Sequence, residues 1–242
     1  FTAQVDVALR HSSARNHSAT HLLHEALREV LGTHVEQKGS LVKPDGLRFD
    51  FSHFQKVTEE ELTKIERLVQ QRILANLACT EHRDMAIADA QAAGAMMLFG
   101  EKYGDTVRMI EFGSSKELCG GIHVPATGSI GPFRIESEGA VAAGIRRIEA
   151  STGQAAMDAQ REERDQLNGI RALLKGSADP AQAIGDLLKS NAKMAKDIEA
   201  FQREAAGNVK GDLIANLKSI NGINVCGAVL DLDAKNIKGL AF

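Results

Sequence analysis

The apolar and polar positions change their period along the chain, and the change falls at residues 151–153. Before that point, apolar stripes predict helices over 13–31, ended by Gly32, and over 59–77, where Thr58 and Glu61 form a capping box. Alternating apolar and polar residues predict strands at 5–9, 47–51, 107–112, 133–136 and 145–149. Because short, closely spaced strands outnumber long helices, we predict an α+β fold with a largely antiparallel sheet packed with helices.

After residue 153 a helical pattern dominates. A charged helix is predicted over 154–175, and a longer helix begins at Pro180, a residue favoured in the first turn. Its residues at spacings of three and four form a near-heptad seam: Ile184, Leu187, Asn191, Met194, Ile198, Phe201 and Ala205. We predict a long helical hairpin or coiled-coil arm that associates into a homodimer; the alternative is a hairpin that packs back on its own sheet. A strand at 224–231 and a helix from 234 follow, so the predicted domains are 1–152, 153–221 and 222–242.

Composition narrows the class of protein. The 242 residues are 43% apolar with a formal net charge of −3, and no apolar run approaches the ~18 residues of a membrane span. The mild acidity and 4% aromatic content argue against a generally basic nucleic-acid coat with exposed stacking rings. Three distant cysteines indicate a reducing, cytoplasmic location rather than a disulfide framework. Since the first residue is Phe, we expect the chain to be part of a longer protein.

The candidate chemistry begins on the first helix. His17 and His21 are four residues apart, so their imidazoles lie side by side, as zinc binding requires. His24 shares their face, opposite the apolar stripe, which predicts that these histidines lie away from the core and that His24 acts behind the ligands or contacts solvent. No glutamate follows His17 directly, so the metalloprotease pattern is disfavoured.

A second segment supplies the remaining ligands. Cys119 and His123 flank Gly120 and Gly121, which are expected to let the backbone turn tightly enough for both side chains to reach one ion. With the two helix histidines they form the set expected for one tetrahedral Zn²⁺ per chain. The count of four favours a structural zinc, whereas the polar helix face favours a catalytic one. Cys79 and Cys226 have no such neighbours and are expected to be small core residues.

Five segments together resemble the editing domain of bacterial alanyl-tRNA synthetases: 16–23 (NHSATHLL), 37–42 (QKGSLV), 47–51 (LRFDF), 119–123 (CGGIH) and 142–150 (AAGIRRIEA). The resemblance implies an editing domain over 1–152, a helical arm over 153–221 and the start of a C-terminal globular domain over 222–242. It further implies a cytoplasmic enzyme that hydrolyses the ester of Ser-tRNA(Ala) and Gly-tRNA(Ala). ATP would serve only an aminoacylation domain, which this chain lacks, so the chain is not expected to ligate.

The resemblance also assigns roles to residues. It implies that His17, His21, Cys119 and His123 bind zinc. Thr20 and Gln37 would line the aminoacyl pocket as its catalytic residues, and Arg146 and Arg147 would contact the acceptor end of tRNA(Ala). A second site of this kind is needed because an activation pocket cannot strongly reject an isostere that merely adds a hydroxyl. We expect water to attack the ester carbonyl, with zinc orienting water or the α-amino group; no carboxylate in the motifs is an evident general base.

Two other interpretations stay open. The histidine and cysteine signatures are similar to those of threonyl-type and free-standing trans-editing domains, although the long helical arm does not fit either one. A zinc-stabilised module that binds tRNA or dimerises, without activity of its own, belongs to a different class. The modest Lys and Arg content weakens it, because phosphate binding needs many cations.

Overall fold

The computed structural model describes residues 1–97 and 103–229. The chain forms two compact units, Phe1–Arg164 and Asp165–Phe242. Within the described ranges, no helix is long and apolar enough to cross a membrane. The elements are, in order, α1 Val7–Leu31, β1 Gln37–Val42, β2 Leu47–Ser52, α2 Glu59–Leu74, β3 Thr80–Ala86, α3 Ile87–Ala92, β4 Thr106–Phe112, β5 Ser115–Leu118, a 3₁₀ turn Thr127–Ile130, β6 Phe133–Ala142, β7 Ile145–Thr152, α4 Gly153–Leu173, α5 Pro180–Ala215, β8 Lys218–Ile220 and β9 Ile223–Val225.

The first helix starts earlier than the sequence pattern predicts. The side chain of Asp6 accepts a hydrogen bond from the Leu9 N–H and caps α1, so the strand predicted at 5–9 is wrong. The helix ends as predicted at Gly32, which has a φ of 114° and donates its N–H to the Arg28 carbonyl. The capping box at Thr58 and Glu61 is also present and begins α2.

A four-stranded antiparallel sheet in the order β1-β2-β7-β6 carries the main core. Phe49 and Phe51 on β2 are fully buried, and so is Ile148, which pairs with Phe49 from β7. The helices α1 and α2 pack together, with α1 against this sheet and α2 against β6. The α+β prediction, with antiparallel strands packed with helices, is therefore confirmed.

A second, three-stranded antiparallel sheet in the order β3-β4-β5 positions the site. Its strand β5 contacts α1 on the face that carries the histidines. Of these three strands, only β4 corresponds to a strand that the sequence pattern predicts. This sheet gives α1 a second packing surface that the helical stripe does not indicate.

The long helices predicted after residue 153 are present as α4 and α5. Pro180 occupies the first turn of α5, as predicted, and the Asp179 side chain caps the helix. No residue of α5 is buried by the part of the chain that the structure describes. The strand predicted at 224–231 is shorter, at Ile223–Val225, and residues 230–231 and the helix predicted from 234 lie outside the described residues.

Candidate metal centre and adjoining cavity

Four side chains from two segments converge between α1 and the second sheet. His17 and His21 lie one turn apart on α1, whereas Cys119 follows the end of β5 and His123 lies four residues further on. Their candidate ligand atoms all lie within 4.8 Å of one another. The Cys119 Sγ lies 3.3 Å from His17 Nε2 and 3.4 Å from His123 Nε2. The structure thus brings together the four residues that the sequence predicts as metal ligands.

These separations suit a tetrahedral zinc ion. With Zn–S near 2.3 Å and Zn–N near 2.0–2.1 Å, a sulfur and a nitrogen ligand should lie about 3.5 Å apart. Both Sγ–Nε2 distances agree with this value to about 0.2 Å. Among residues 1–97 and 103–229, this is the one group of three or more metal-binding side chains close enough to hold an ion. A thiolate with three imidazoles is a donor set that zinc prefers.

The histidine face of α1 is covered, which corrects the prediction that it lies away from the core. His21 is 3% exposed and His24 is 1% exposed. Burial, followed by the neighbouring histidines and Arg108, lowers the pKa of His21 well below its usual value. Burial, followed by His17 and Arg108, lowers the pKa of His123 to about 3. Both rings are therefore neutral near pH 7, the form that binds a metal.

Gly121 allows a close approach between its backbone and a ligand on α1. A Cβ at this position would lie 1.8 Å from the Cε1 and 2.2 Å from the Nδ1 of His17. At Gly120 a Cβ would meet nothing within 4 Å. Neither glycine, both of them described residues, has a positive φ. The backbone at Gly121 thus makes room for a ligand from α1, which is a reason for this glycine beyond the predicted turn.

Ser18 orients one of the ligands from behind. Its Oγ accepts the Val124 N–H at 3.1 Å and lies 3.1 Å from His123 Nδ1. An Nδ1–H that donates to Ser18 leaves Nε2, the atom nearest the Cys119 Sγ, with a free lone pair. Ser18 is fully buried, and the sequence analysis missed this role because the contact joins residues 105 positions apart.

Glu117 is a second residue that the sequence analysis missed. Its Oε1 lies 2.9 Å from His24 Nδ1 and its Oε2 lies 3.5 Å from His21 Nε2. Burial raises the pKa of Glu117, although the hydrogen bond from His24 opposes the rise. His24 thus acts behind the ligands, and its alternative as a solvent contact is wrong. No local signal in the sequence indicates this role, because Glu117 lies 93 positions from its partner His24.

A cavity of about 540 Å³ adjoins three of the four ligands, His17, His21 and Cys119. The predicted pocket residues Thr20 and Gln37 both line it, together with Ser40 and Glu117. The Thr20 hydroxyl donates to the Asn16 carbonyl at 2.9 Å, so its oxygen can only accept a hydrogen bond from a bound ligand. The Gln37 Nε2 donates to Ser40 Oγ at 3.0 Å, which leaves the Gln37 carbonyl oxygen as an acceptor and its second N–H as a donor. This side of the cavity is suited to a ligand with N–H or O–H donors.

The two predicted tRNA contacts are both held in ion pairs. Arg146 binds Glu138 through two bonds of 2.5 and 2.6 Å, and the Glu138 side chain is 2% exposed. Arg147 binds Asp50 through two bonds of 2.6 and 2.8 Å, and its side chain is 31% exposed. The hydrogen bond from Arg147 holds the pKa of Asp50 below its usual value. Of the two arginines, Arg147 is therefore the more accessible to a phosphate.

Neither of the two other cysteines belongs to the candidate ligand group. Cys79 is half-buried and packs against the main core, as predicted. Cys226 is half-buried in the second unit, just after β9.

Comparisons with known proteins point to one family. The family described as "Threonyl and Alanyl tRNA synthetase second additional domain" matches residues 107–149. The chain is 53% identical over all 242 residues to an alanine–tRNA ligase of Parabacteroides distasonis and 47% identical over 242 residues to that of Porphyromonas gingivalis, covering 28% of each relative. It is 51% identical over 230 residues, or 95% of its length, to the alanine–tRNA ligase of Aromatoleum aromaticum, of which it covers 26%. The chain therefore spans just over a quarter of the curated relatives that it matches.

Proposed function

Since the chain belongs to the alanine–tRNA ligase family, we propose that it hydrolyses the ester bond of mischarged Ser-tRNA(Ala) and Gly-tRNA(Ala). The observation that carries the proposal is the cavity that contains Thr20 and Gln37 and is bounded by His17, His21 and Cys119. A cavity of this size, lined by both polar and apolar side chains, suits an aminoacyl group and the terminal ribose. The cytoplasmic location inferred from the cysteines belongs to the same proposal.

The metal in this proposal is one zinc ion per chain, held by His17, His21, Cys119 and His123. When bound, zinc supplies a Lewis acid that can polarise water or a carbonyl, or anchor an amino group. His21 and His123, which are neutral near pH 7, are in the form that this ligand set requires.

The chain's own residues would orient the aminoacyl group. Thr20 and Gln37 offer acceptor oxygens, which suit the ammonium group of any aminoacyl ester and the hydroxyl of a seryl group. A site built to pair a substrate hydroxyl can reject an analogue that lacks it by ~10⁴-fold or more. This accounts for the choice of serine over alanine, whereas glycine would have to be selected by its smaller size.

Glu117 would orient the ligands rather than activate water. It is the carboxylate nearest to His21 and His24, and both of its oxygens face those imidazoles. A carboxylate that holds a ligating histidine fixes the ring and raises its basicity. The attacking water would then be deprotonated by another group, such as a hydroxyl of the tRNA itself.

The tRNA acceptor end is the proposed partner, with Arg146 and Arg147 beside it. The ion pair of Arg147 with Asp50 is partly exposed, so a phosphate can share the guanidinium. Arg146 is more enclosed, with a side chain that is 12% exposed, and its pair with Glu138 first serves to hold the β6–β7 hairpin together.

The deciding experiment measures release of serine from seryl-tRNA(Ala) by the purified chain. We expect release above the spontaneous rate, loss of that activity in Cys119→Ala, and full activity in the matched variant Cys79→Ala. Zinc content is measured on each sample. An intact chain that holds one zinc and releases no serine would favour the alternative of a zinc-stabilised module that binds tRNA or dimerises, whereas release from Ser-tRNA(Thr) instead would favour a threonyl-type editing domain.

The homodimer is a separate part of the proposal, and α5 supports it. The apolar seam residues Ile184, Leu187, Met194, Ile198 and Phe201 are 40–68% exposed. Exposed apolar side chains at heptad spacing are typical of a coiled-coil interface. Sedimentation should show a dimer that Ile198→Glu dissociates and that Leu188→Glu, outside the seam, leaves intact. A monomer at high concentration would contradict it.

A further inference from the structure

The segment that carries two of the four ligands lies outside the sheet. The β4–β5 pairing ends at Leu118, which pairs with Met109, and residues 119–124 form no helix or strand. The carbonyl groups of Cys119 and Gly121 therefore have no ladder partner. A short irregular segment of this kind needs other contacts to place its side chains to within the tolerance of a metal site.

Arg108, at the centre of the second sheet, supplies those contacts. Its Nη1 donates to the Cys119 carbonyl at 2.6 Å and to the Gly121 carbonyl at 2.8 Å. Its own carbonyl accepts the Cys119 N–H at 3.1 Å. Three hydrogen bonds from one residue thus hold the ligand segment, and two of them are strengthened by the guanidinium charge.

Glu81 fixes the direction of that guanidinium. Its Oε1 lies 2.6 Å from Arg108 Nε, across the β3–β4 pair. Arg83 binds the same carboxylate at 3.1 Å, but its side chain is 77% exposed and its described bonds go to Glu81. Glu81 therefore joins two arginines, of which one reaches the ligand segment and the other faces solvent.

We propose that Arg108 is a positioning residue that clamps the segment 119–121, so that Cys119 and His123 reach the ion bound by His17 and His21. This inference rests on the zinc site of the proposed function and adds a residue outside the ligand set. Arg108 also lines the cavity, so its effect on the metal must be separated from any contact with substrate. A lysine keeps the charge but cannot bond Glu81 and two carbonyls in one plane.

The test compares Arg108→Met and Arg108→Lys with the control Arg83→Met, all in the full chain. The first readout is the rate of zinc transfer to a chromogenic chelator. The second is the absorption spectrum of the Co²⁺-substituted protein, which reports a tetrahedral site with one thiolate. The third is the Tm with and without metal. We expect both Arg108 variants to release zinc 10- to 100-fold faster, the range found when partners of metal ligands are removed, with altered Co²⁺ spectra and a nearly unchanged metal-free Tm. Arg83→Met should behave like the unmodified chain.

Three outcomes would overturn the inference. Zinc release and Co²⁺ spectra that match the unmodified chain would show that the segment holds itself. An equal fall in Tm with and without metal, at unchanged zinc release, would show that Arg108 only stabilises the sheet. Faster release in Arg108→Met but not in Arg108→Lys would assign the effect to charge. If Arg108→Met does not fold, Arg108→Lys and Glu81→Gln answer the same question. An unmodified chain without zinc would overturn the proposed zinc site together with the clamp, whereas a zinc-loaded one with inert variants overturns the clamp alone.

Discussion

Replacing Gly121 with alanine should remove a metal ligand without unfolding the protein. The new Cβ would lie 1.8 Å from His17 Cε1, and real Cβ atoms essentially never approach a heavy atom closer than 3.0 Å. The ring or the segment must therefore move by at least the difference, 1.2 Å. Metal–ligand distances tolerate only about ±0.2 Å. The required movement is several times larger than the site can accept.

The cost should fall on the metal rather than on the fold. His17 is a side chain on the edge of a cavity, so it can swing aside, and overpacking typically costs about 1–3 kcal/mol. The displaced imidazole no longer reaches the ion, so three ligands remain. Removing a residue that only hydrogen-bonds a metal ligand typically lowers metal affinity by about 10- to 100-fold. Because a ligand itself is lost here, we expect the zinc affinity to fall by at least about 100-fold.

Gly120→Ala is the matched control, because its Cβ would meet nothing within 4 Å. Both variants are titrated with zinc against a competing chelator, and their unfolding in denaturant is followed without metal. Gly121→Ala should bind zinc weakly and lose the hydrolysis of seryl-tRNA(Ala), while Gly120→Ala keeps both. Equal zinc affinity in the two variants would refute the close approach of Gly121 and His17 as the reason for this glycine.

Three further predictions concern the neighbours of the ligands and the sheet. Folding lowers the pKa of His123 to about 3, from 6.5 in the unfolded chain, so the unfolded state binds more protons between these two values. As the pH is lowered below 6.5, the free energy of unfolding of the metal-free protein should therefore decrease, by up to about 1.4 kcal/mol per pH unit. Denaturant titrations at pH 7.5, 6 and 5 check this, and the same pH dependence in His123→Gln as in the unmodified chain would contradict it. Glu117→Gln keeps the shape of the side chain but removes the charge beside His24, so zinc should leave about 10- to 100-fold faster in a chelator assay, and an unchanged rate would exclude an orienting role. Arg147→Met should raise KM for seryl-tRNA(Ala) at unchanged kcat, because it removes a cation that binds the tRNA. Asp50→Asn breaks the same ion pair but keeps that cation, so KM should stay unchanged. Equal effects of the two variants would mean that the ion pair is structural.

Local patterns predicted the elements whose signal lies within a few residues. The capping box at Thr58 and Glu61 marks the start of α2 because both partners are local. The alternation at 47–51 predicted the strand β2. In the structure Asp50, a polar position of that alternation, is also largely buried, because Arg147 from β7 pairs with it. The strand predicted at 5–9 failed because alternation over five residues also fits the first turn of a helix that Asp6 caps.

The surroundings of the site could not be predicted because they come from distant parts of the chain. The helical stripe placed His21 and His24 opposite the apolar face, which was correct, but burial depends on what packs there. That surface is the four-residue strand β5, in which the buried positions are Ser115 and Glu117. Because both buried residues are polar, the strand shows no apolar alternation in the sequence. A polar side chain is buried here because an imidazole of α1 is its partner, a pairing that no local window contains.

The two sides of the metal centre are α1 on one side and β5 with the segment that follows it on the other. Each side supplies two ligands and also a side chain that orients a ligand on the opposite side. Ser18 on α1 contacts His123 from the irregular segment, while Glu117 on β5 contacts His21 and His24 on α1. An ion bound between them would join α1 to the segment 119–123, which Arg108 ties to the second sheet. Its binding free energy then adds to the stability of that contact in proportion to ln(1 + [Zn²⁺]/Kd). Loss of zinc should consequently loosen the segment 119–123 from α1 before it affects the main core, to which β4 contributes the buried Ile110 and Phe112.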